Sequence, residues 1–310
     1  RTLGIQHFLI VDDRSTDGTS EILDAASDVT VFVPETGSSY REHKRFWRAE
    51  LLDTYCTNLW CVVPDIDEHL IYKASQGMNL HGLTCALEAE GANAVQATMI
   101  DMYSDAPLDQ VSFSGGNLHT AFPFFDGPEY YFRLAKAKRF HQKYPTPFFM
   151  VTGGVRQRMF FPIGIHGTNF NLALFRKMAR MDGTFVPDIP GRISAKFARR
   201  LIKARSKKQL LNMTKIPLVC WQKGAFFSGG AHSLSGHWVL SREKAALLHY
   251  NFASGVSGVA HKVARGEHMQ RGAFYAQMLD DTVTRSQSPV FEGTMRYQSP
   301  RSLDGFLGKV

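Results

Sequence analysis

The sequence predicts an α/β fold, with a mostly parallel sheet and flanking helices in the first half and an irregular α+β arrangement in the second. Two observations carry this. Between residues 5 and 102 strand-like and helix-like segments alternate, and such alternation folds through right-handed βαβ crossovers into a largely parallel sheet. Two acid pairs, Asp12 with Asp13 and Asp65 with Asp67, each follow a strand-like run. In such sheets ligands gather outside the carboxyl ends of the strands, so both pairs are expected to face one crevice.

Ile5 to Val11 reads as a buried strand, rich in β-branched and aromatic residues and ending on polar turn residues. Thr19 or Ser20 can cap the next helix, whose apolar residues are Ile22, Leu23 and Ala26. Val29 to Val33 is a second strand. Arg41 to Tyr55 is a helix with Phe46, Leu51, Leu52 and Tyr55 for its apolar face, and Leu59 to Val63 a third strand. A helix near Leu80 to Glu88 and a strand from Ala94 to Met102 complete this half. From about residue 104, glycine, proline and aromatic residues replace the regular alternation. The chain is therefore read as residues 1–125 and 126–310, two halves of one domain.

At 310 residues and 44% hydrophobic, the chain can bury a sizeable core. No stretch approaches the roughly 18 consecutive apolar residues of a membrane-spanning helix, and no signal peptide is legible at the start. Cys56, Cys61, Cys85 and Cys220 form no CxxC pair and lie among apolar neighbours, which predicts reduced core thiols and a cytoplasmic setting. The net charge of +8 favours an anionic ligand or surface. Gly191 to Lys215 concentrates nine Lys or Arg with no acid, and Ile193, Phe197 and Leu201 give it one apolar face. A docked helix with a solvated basic face is the plain reading, and peripheral contact with anionic lipid the sharper one. Nucleic acid is not expected, because no aromatics for base stacking are interleaved with these charges.

The stretch "VDDRSTDGTSEILD" fits three chemistries. A calcium loop requires a flanking helix before Asp13 and a bidentate Glu at its twelfth position, where a strand and Asp24 stand instead. A phosphoacceptor receiver requires a Lys at a later strand end, and "MIDMYSD" offers none. A phosphatase nucleophile at Asp65 requires Thr or Val where His69 stands. The remaining chemistry is a nucleotide-sugar site, in which one acid turn reads the nucleotide and a second acid pair holds a divalent cation. In "VVPDIDEHL", the spacing of Asp65 and Asp67 sets both carboxylates on one side if the segment is extended. Such a pair repels itself unless a cation or protons compensate, and Mg²⁺ or Mn²⁺ suits its oxygens.

Taken together, "VDDRSTDGT" and "LWCVVPDIDEHL" resemble the motifs of family 2-type glycosyltransferases of the GT-A fold. Trp60, Asp65, Asp67 and Glu68 match the family's W-x-x-x-x-D-x-D-E string, with His69 and then the hydrophobic Leu70 after it. The strings "GGVRQRMF", "TKIPLVCW" and "LLHYNFASGVSGVAHKVARGEH" extend the likeness over most of the chain. The family carries an earlier strand and helix, so the resemblance implies a chain trimmed before Arg1.

The resemblance implies a GT-A sheet and a metal-dependent, inverting transfer of sugar from a nucleotide-diphosphate donor to a glycan or lipid-linked acceptor. The setting it implies is the cytosolic side of a bacterial envelope pathway. Residues 1–125 become the nucleotide-sugar half and 126–310 the acceptor side. Asp12, Asp13, Ser15 and Asp65 become nucleotide contacts, and Asp65, Asp67 and His249 ligands of Mn²⁺ or Mg²⁺, with His232 a second choice. Arg156, Lys215 and Lys262 lie in matching strings and are carried to the diphosphate. Asp101, at a strand end, is the candidate base for the acceptor hydroxyl, with Asp126 and Glu129 behind it. A non-catalytic nucleotide-sugar or glycan binder on the same fold is the alternative.

Overall fold

The computed structural model describes residues 1–73, 75, 77–127, 130–134, 142–147, 149–162, 193, 210–228, 230–266 and 272–307. The apolar run at the start forms β1 (Phe8–Val11), and helix α1 (Thr19–Asp24) returns the chain to a parallel β2 (Val29–Phe32). This is the predicted βαβ unit, though its two strands form a sheet of their own. Helix α2 (Tyr40–Tyr55) follows, then β3 (Trp60–Val62), β4 (Glu68–Tyr72), α3 (Leu80–Glu90) and β5 (Ala94–Asp101). The Asn79 side chain caps α3 by accepting from the Gly82 N–H, and Gly91 closes it in the left-handed conformation.

The second half adds α4 (Leu118–Ala121), β6 (Phe124–Asp126), β7 (Tyr131–Leu134), β8 (Phe149–Thr152) and α5 (Gly154–Phe160). After these come β9 (Thr214–Cys220), β10 (Ala245–His249), α6 (Gly255–Arg265), α7 (Ala273–Asp280), α8 (Thr282–Arg285), β11 (Thr294–Arg296) and α9 (Asp304–Leu307).

The central sheet has the order β3-β9-β5-β10-β4 and is mixed. Of its neighbouring pairs only β5 with β10 is parallel, while β3 with β9, β9 with β5, and β10 with β4 are antiparallel. The expected mostly parallel sheet is therefore not what forms. The cause is that β9 and β10, apolar runs from the second half, insert among the strands of the first half.

Because β3 and β4 occupy opposite edges, the link 63–67 crosses the end of the sheet from one side to the other. Two backbone hydrogen bonds pin it on the way. The Val63 N–H donates to the Pro217 carbonyl on β9, and the Tyr250 N–H beyond β10 donates to the Asp67 carbonyl. Asp65 and Asp67 thus lie across the carboxyl ends of β5 and β10. The link is not extended as expected: the Glu68 N–H bonds back to the Asp65 carbonyl at 3.1 Å, making a tight turn with Ile66 at its exposed tip.

Two apolar layers sandwich the sheet. One joins Leu70, Tyr72, Met99 and Leu247 to Leu83 and Leu87 of α3 and to Phe160 of α5. The other joins Ile100, Ala246 and Leu248 to Leu303 and Leu307. Of the apolar face expected on α2, Leu52 is buried, whereas Phe46 and Tyr55 are about half exposed. Cys85 is exposed rather than a core thiol, and the other three cysteines are partly buried and free. Of the basic segment 191–215, all but Ile193 and residues 210–215 lie outside the described residues. Among the described residues no helix is long and apolar enough to cross a membrane.

Candidate functional site

Strand register assembles the site. His249 ends β10, and its direct partners are Asp101, which ends β5, on one side and Glu68, which begins β4, on the other. Directly paired residues point to the same face of a sheet, so an acid, an imidazole and a second acid stand in one row. The crossing link suspends Asp67 over that row, with its Oδ2 at 3.5 Å from His249 Nε2.

His249 is held from behind. Its Nδ1 lies 2.7 Å from Asp101 Oδ1, and Arg156 Nε on α5 donates to Asp101 Oδ2 at 2.8 Å. Asp101 has no exposed surface and both its oxygens are engaged. Burial pushes its carboxyl up, but the Arg156 guanidinium and the His249 ring outweigh that and hold it below the usual carboxylate range. Burial alone would lower His249; Asp67 and Asp101 raise it to about 8. Asp67 is likewise pushed up by burial and pulled further down by His249 and Lys262.

Asp65 has a different partner set. Lys215, almost fully buried, reaches up from β9 to bond Asp65 Oδ2, and its Nζ is 2.5 Å from Glu68 Oε1. Arg48 of α2 approaches the other Asp65 oxygen at 3.3 Å. Burial raises the Asp65 carboxyl, and Lys215 and Arg48 more than reverse this. For Glu68 burial wins over Lys215 and its proton affinity is raised. Glu68 also braces the turn, accepting the Asp65 N–H at 2.9 Å. His232 Nδ1 lies 2.7 Å from the Thr214 carbonyl, which can only accept. Burial and Lys215 hold this ring down to about 4, so it is neutral with its lone pair on Nε2.

The first acid turn is built from its own hydrogen bonds. Asp12 accepts from the Ser15 N–H and hydroxyl through Oδ1 and from the Ser20 hydroxyl through Oδ2. Those bonds hold its carboxyl below its ordinary value. Asp13 accepts the Tyr40 N–H at the start of α2 and a bond from Arg14. Helix α6 connects this turn to the row on the sheet. Arg265 comes within 3.8 Å of Asp13, and Lys262, one turn earlier, is close enough to Asp67 for its charge to act on it. Lys262 Nζ donates to Asn251 Oδ1 at 2.5 Å.

The structure therefore brings Asp65, Asp67, Asp101, Arg156, Lys215, Lys262 and His249 into one polar cluster, with Asp13 at the far end of α6. It separates the two acids of the D-x-D string by role. Asp65 is compensated by protein cations, whereas Asp67, Glu68 and His249 offer ligand atoms within 4.8 Å of one another and could hold a metal ion. Two carboxylates and an imidazole are a donor set for a divalent cation, and Glu68 would share its charge between the ion and Lys215. From the sequence the role of Glu68 stays open between a ribose contact and a brace for the loop; the bond it accepts from the Asp65 N–H matches the second, and nothing points to Arg48 or Asn251. Adjacency to Asp67 was the available signal for Glu68. Arg48 sits in an ordinary charged helix, where nothing in the sequence marks it. Asp126 is committed to Arg158 and Tyr103, and Glu129 lies outside the described residues. No family model, curated protein or solved structure matches this chain.

Proposed function

We propose that this chain is a metal-dependent, inverting glycosyltransferase that moves a sugar from a nucleotide-diphosphate donor to a hydroxyl of a glycan or lipid-linked acceptor. The observation that carries the reading is the group Asp67, Glu68 and His249, set by strand register across the ends of β4, β5 and β10. Helix α6 joins that group to the Asp13 turn. A Mn²⁺ or Mg²⁺ ion bound there supplies Lewis-acid stabilisation of the negative charge that grows on the departing diphosphate.

Asp67, Glu68 and His249 would hold the ion, while Lys262, near Asp67, would offer a cation for the diphosphate. Arg156 and Lys215 serve differently from the expected phosphate contacts, because each is already committed to buried carboxylates. Asp13 and Ser15 line the nucleotide side, where a carboxylate can accept from a ribose hydroxyl or an imide N–H. Peripheral contact with an anionic membrane through residues 191–215 belongs to the same proposal and rests on their sequence.

The test is Mn²⁺-dependent release of nucleoside diphosphate from a panel of nucleotide sugars, with and without a hydroxyl acceptor. Asp67→Ala is expected to lose this activity while keeping its fold; undiminished turnover in that variant removes the reading. One observation favours the second reading, a non-catalytic nucleotide-sugar binder: Asp101, the candidate base, has no exposed surface and is paired with Arg156 and His249. A pure binder gains thermal stability with donor and releases no diphosphate.

A further inference from the structure

We propose that Asp101 and Arg156 form an orienting support for His249 that fixes its tautomer and presents Nε2 to a divalent cation. The inference rests on the metal-dependent reading above and makes Asp101 a positioning residue. In metal sites a ligating imidazole commonly donates its other N–H to a carboxylate, which fixes the ring and raises its basicity. Here the geometry has those parts in order.

Asp101 is the register partner of His249, so its carboxylate is brought alongside the imidazole by the backbone itself. The 2.7 Å contact joins Oδ1 to Nδ1, the ring nitrogen away from Asp67, while Nε2 is the nitrogen facing Asp67. Arg156 Nη2 lies farther from Nδ1, at 3.4 Å, and its Nε is spent on Asp101 Oδ2 at 2.8 Å. The guanidinium keeps Asp101 an acceptor, so the short contact requires a proton on Nδ1 and leaves Nε2 as the ligand atom.

The start of α5 is shaped for this. Gly154 has φ +82°, and a Cβ there would meet the Tyr130 hydroxyl at 2.8 Å and Asp101 Oδ2 at 3.5 Å. Gly154 of "TGGVR" thus lets the backbone that carries Arg156 pass close to Asp101.

Direct Mn²⁺ titration followed by electron paramagnetic resonance tests this, on the wild-type chain and Asp101→Asn, each verified as folded by circular dichroism. The expected result is binding weakened about 10- to 100-fold in the variant; equal affinity overturns the proposal. Because a buried ion pair is cut, the variant can lose its fold, so a wild-type measurement stands beside it. In ¹⁵N-histidine NMR in alkaline buffer, with His249 assigned by its loss in His249→Gln, Nδ1 is expected protonated and Nε2 bare. Nε2 is then expected to shift on adding Mg²⁺ or Zn²⁺. A bare Nδ1, or a metal-induced shift at Nδ1, overturns the proposal. If the wild-type chain binds no Mn²⁺, the metal-dependent reading fails, and the metal-free tautomer still decides whether Asp101 orients the ring.

Discussion

Asp101 carries its charge at the end of β5 beside the guanidinium of Arg156, out of reach of water. Read along the chain it is an acid at a strand end, the place for a base. Folded, it has no exposed surface and is matched by Arg156 and His249. Leaving a buried charge without its partner costs about 3–5 kcal/mol, so Arg156→Met is expected to lower unfolding stability in urea by that order; a loss under about 1 kcal/mol would mean that Asp101 is solvated or neutral. Asp67 and His249 were legible from their strings and come together as expected. Glu68 stands in the same string, but its place beside His249 was not legible, because it depends on a strand pairing between segments far apart in the chain. Of the two acids the resemblance already favours Asp67 as the more direct ligand; the reason was not legible, since Lys215 and Arg48 reach Asp65 from other parts of the chain.

At the scale of elements, the βαβ unit β1-α1-β2, helices α2 and α3, and strand β5 were legible from local periodicity, which depends on near neighbours alone. The sheet order was not. "TKIPLVC" and "AALLH" are short apolar runs with no local mark of where they insert, and their insertion turns a parallel expectation into a mixed sheet. Helix α6 carries Lys262 and Arg265 to the two ends of the site, and its start is tightly fitted. Gly255 sits at φ +56°, where a Cβ would lie 2.6 Å from the Val111 carbonyl oxygen. Gly255→Ala is expected to cost about 1–3 kcal/mol from backbone strain of this kind and to weaken donor binding by moving Lys262; unchanged stability by denaturant unfolding would contradict this packing.

For the whole molecule, a buried lysine away from the site predicts a pH dependence of stability. Burial lowers Lys244 to about 8 from an ordinary value near 10.4. Between those values the unfolded chain binds more protons than the folded one, so stability rises with pH across that window and is lost as pH falls through about 8. Lys244→Met is expected to flatten this rise, a term on the order of 3 kcal/mol at about 1.4 kcal/mol per pH unit, and to stabilise the fold at neutral pH. Denaturant curves between pH 7 and 10 compare the two chains; an equal slope in both sinks the assignment.

Metal dependence rests on where a cation binds. Crystals soaked in Mn²⁺ and measured at a wavelength that excites its anomalous scattering locate the ion without reference to activity. The predicted result is one strong peak within about 2.5 Å of an Asp67 oxygen and His249 Nε2, with Lys215 still seated between Asp65 and Glu68. A peak held by Asp65 in place of Asp67, or none at saturating Mn²⁺, would contradict it.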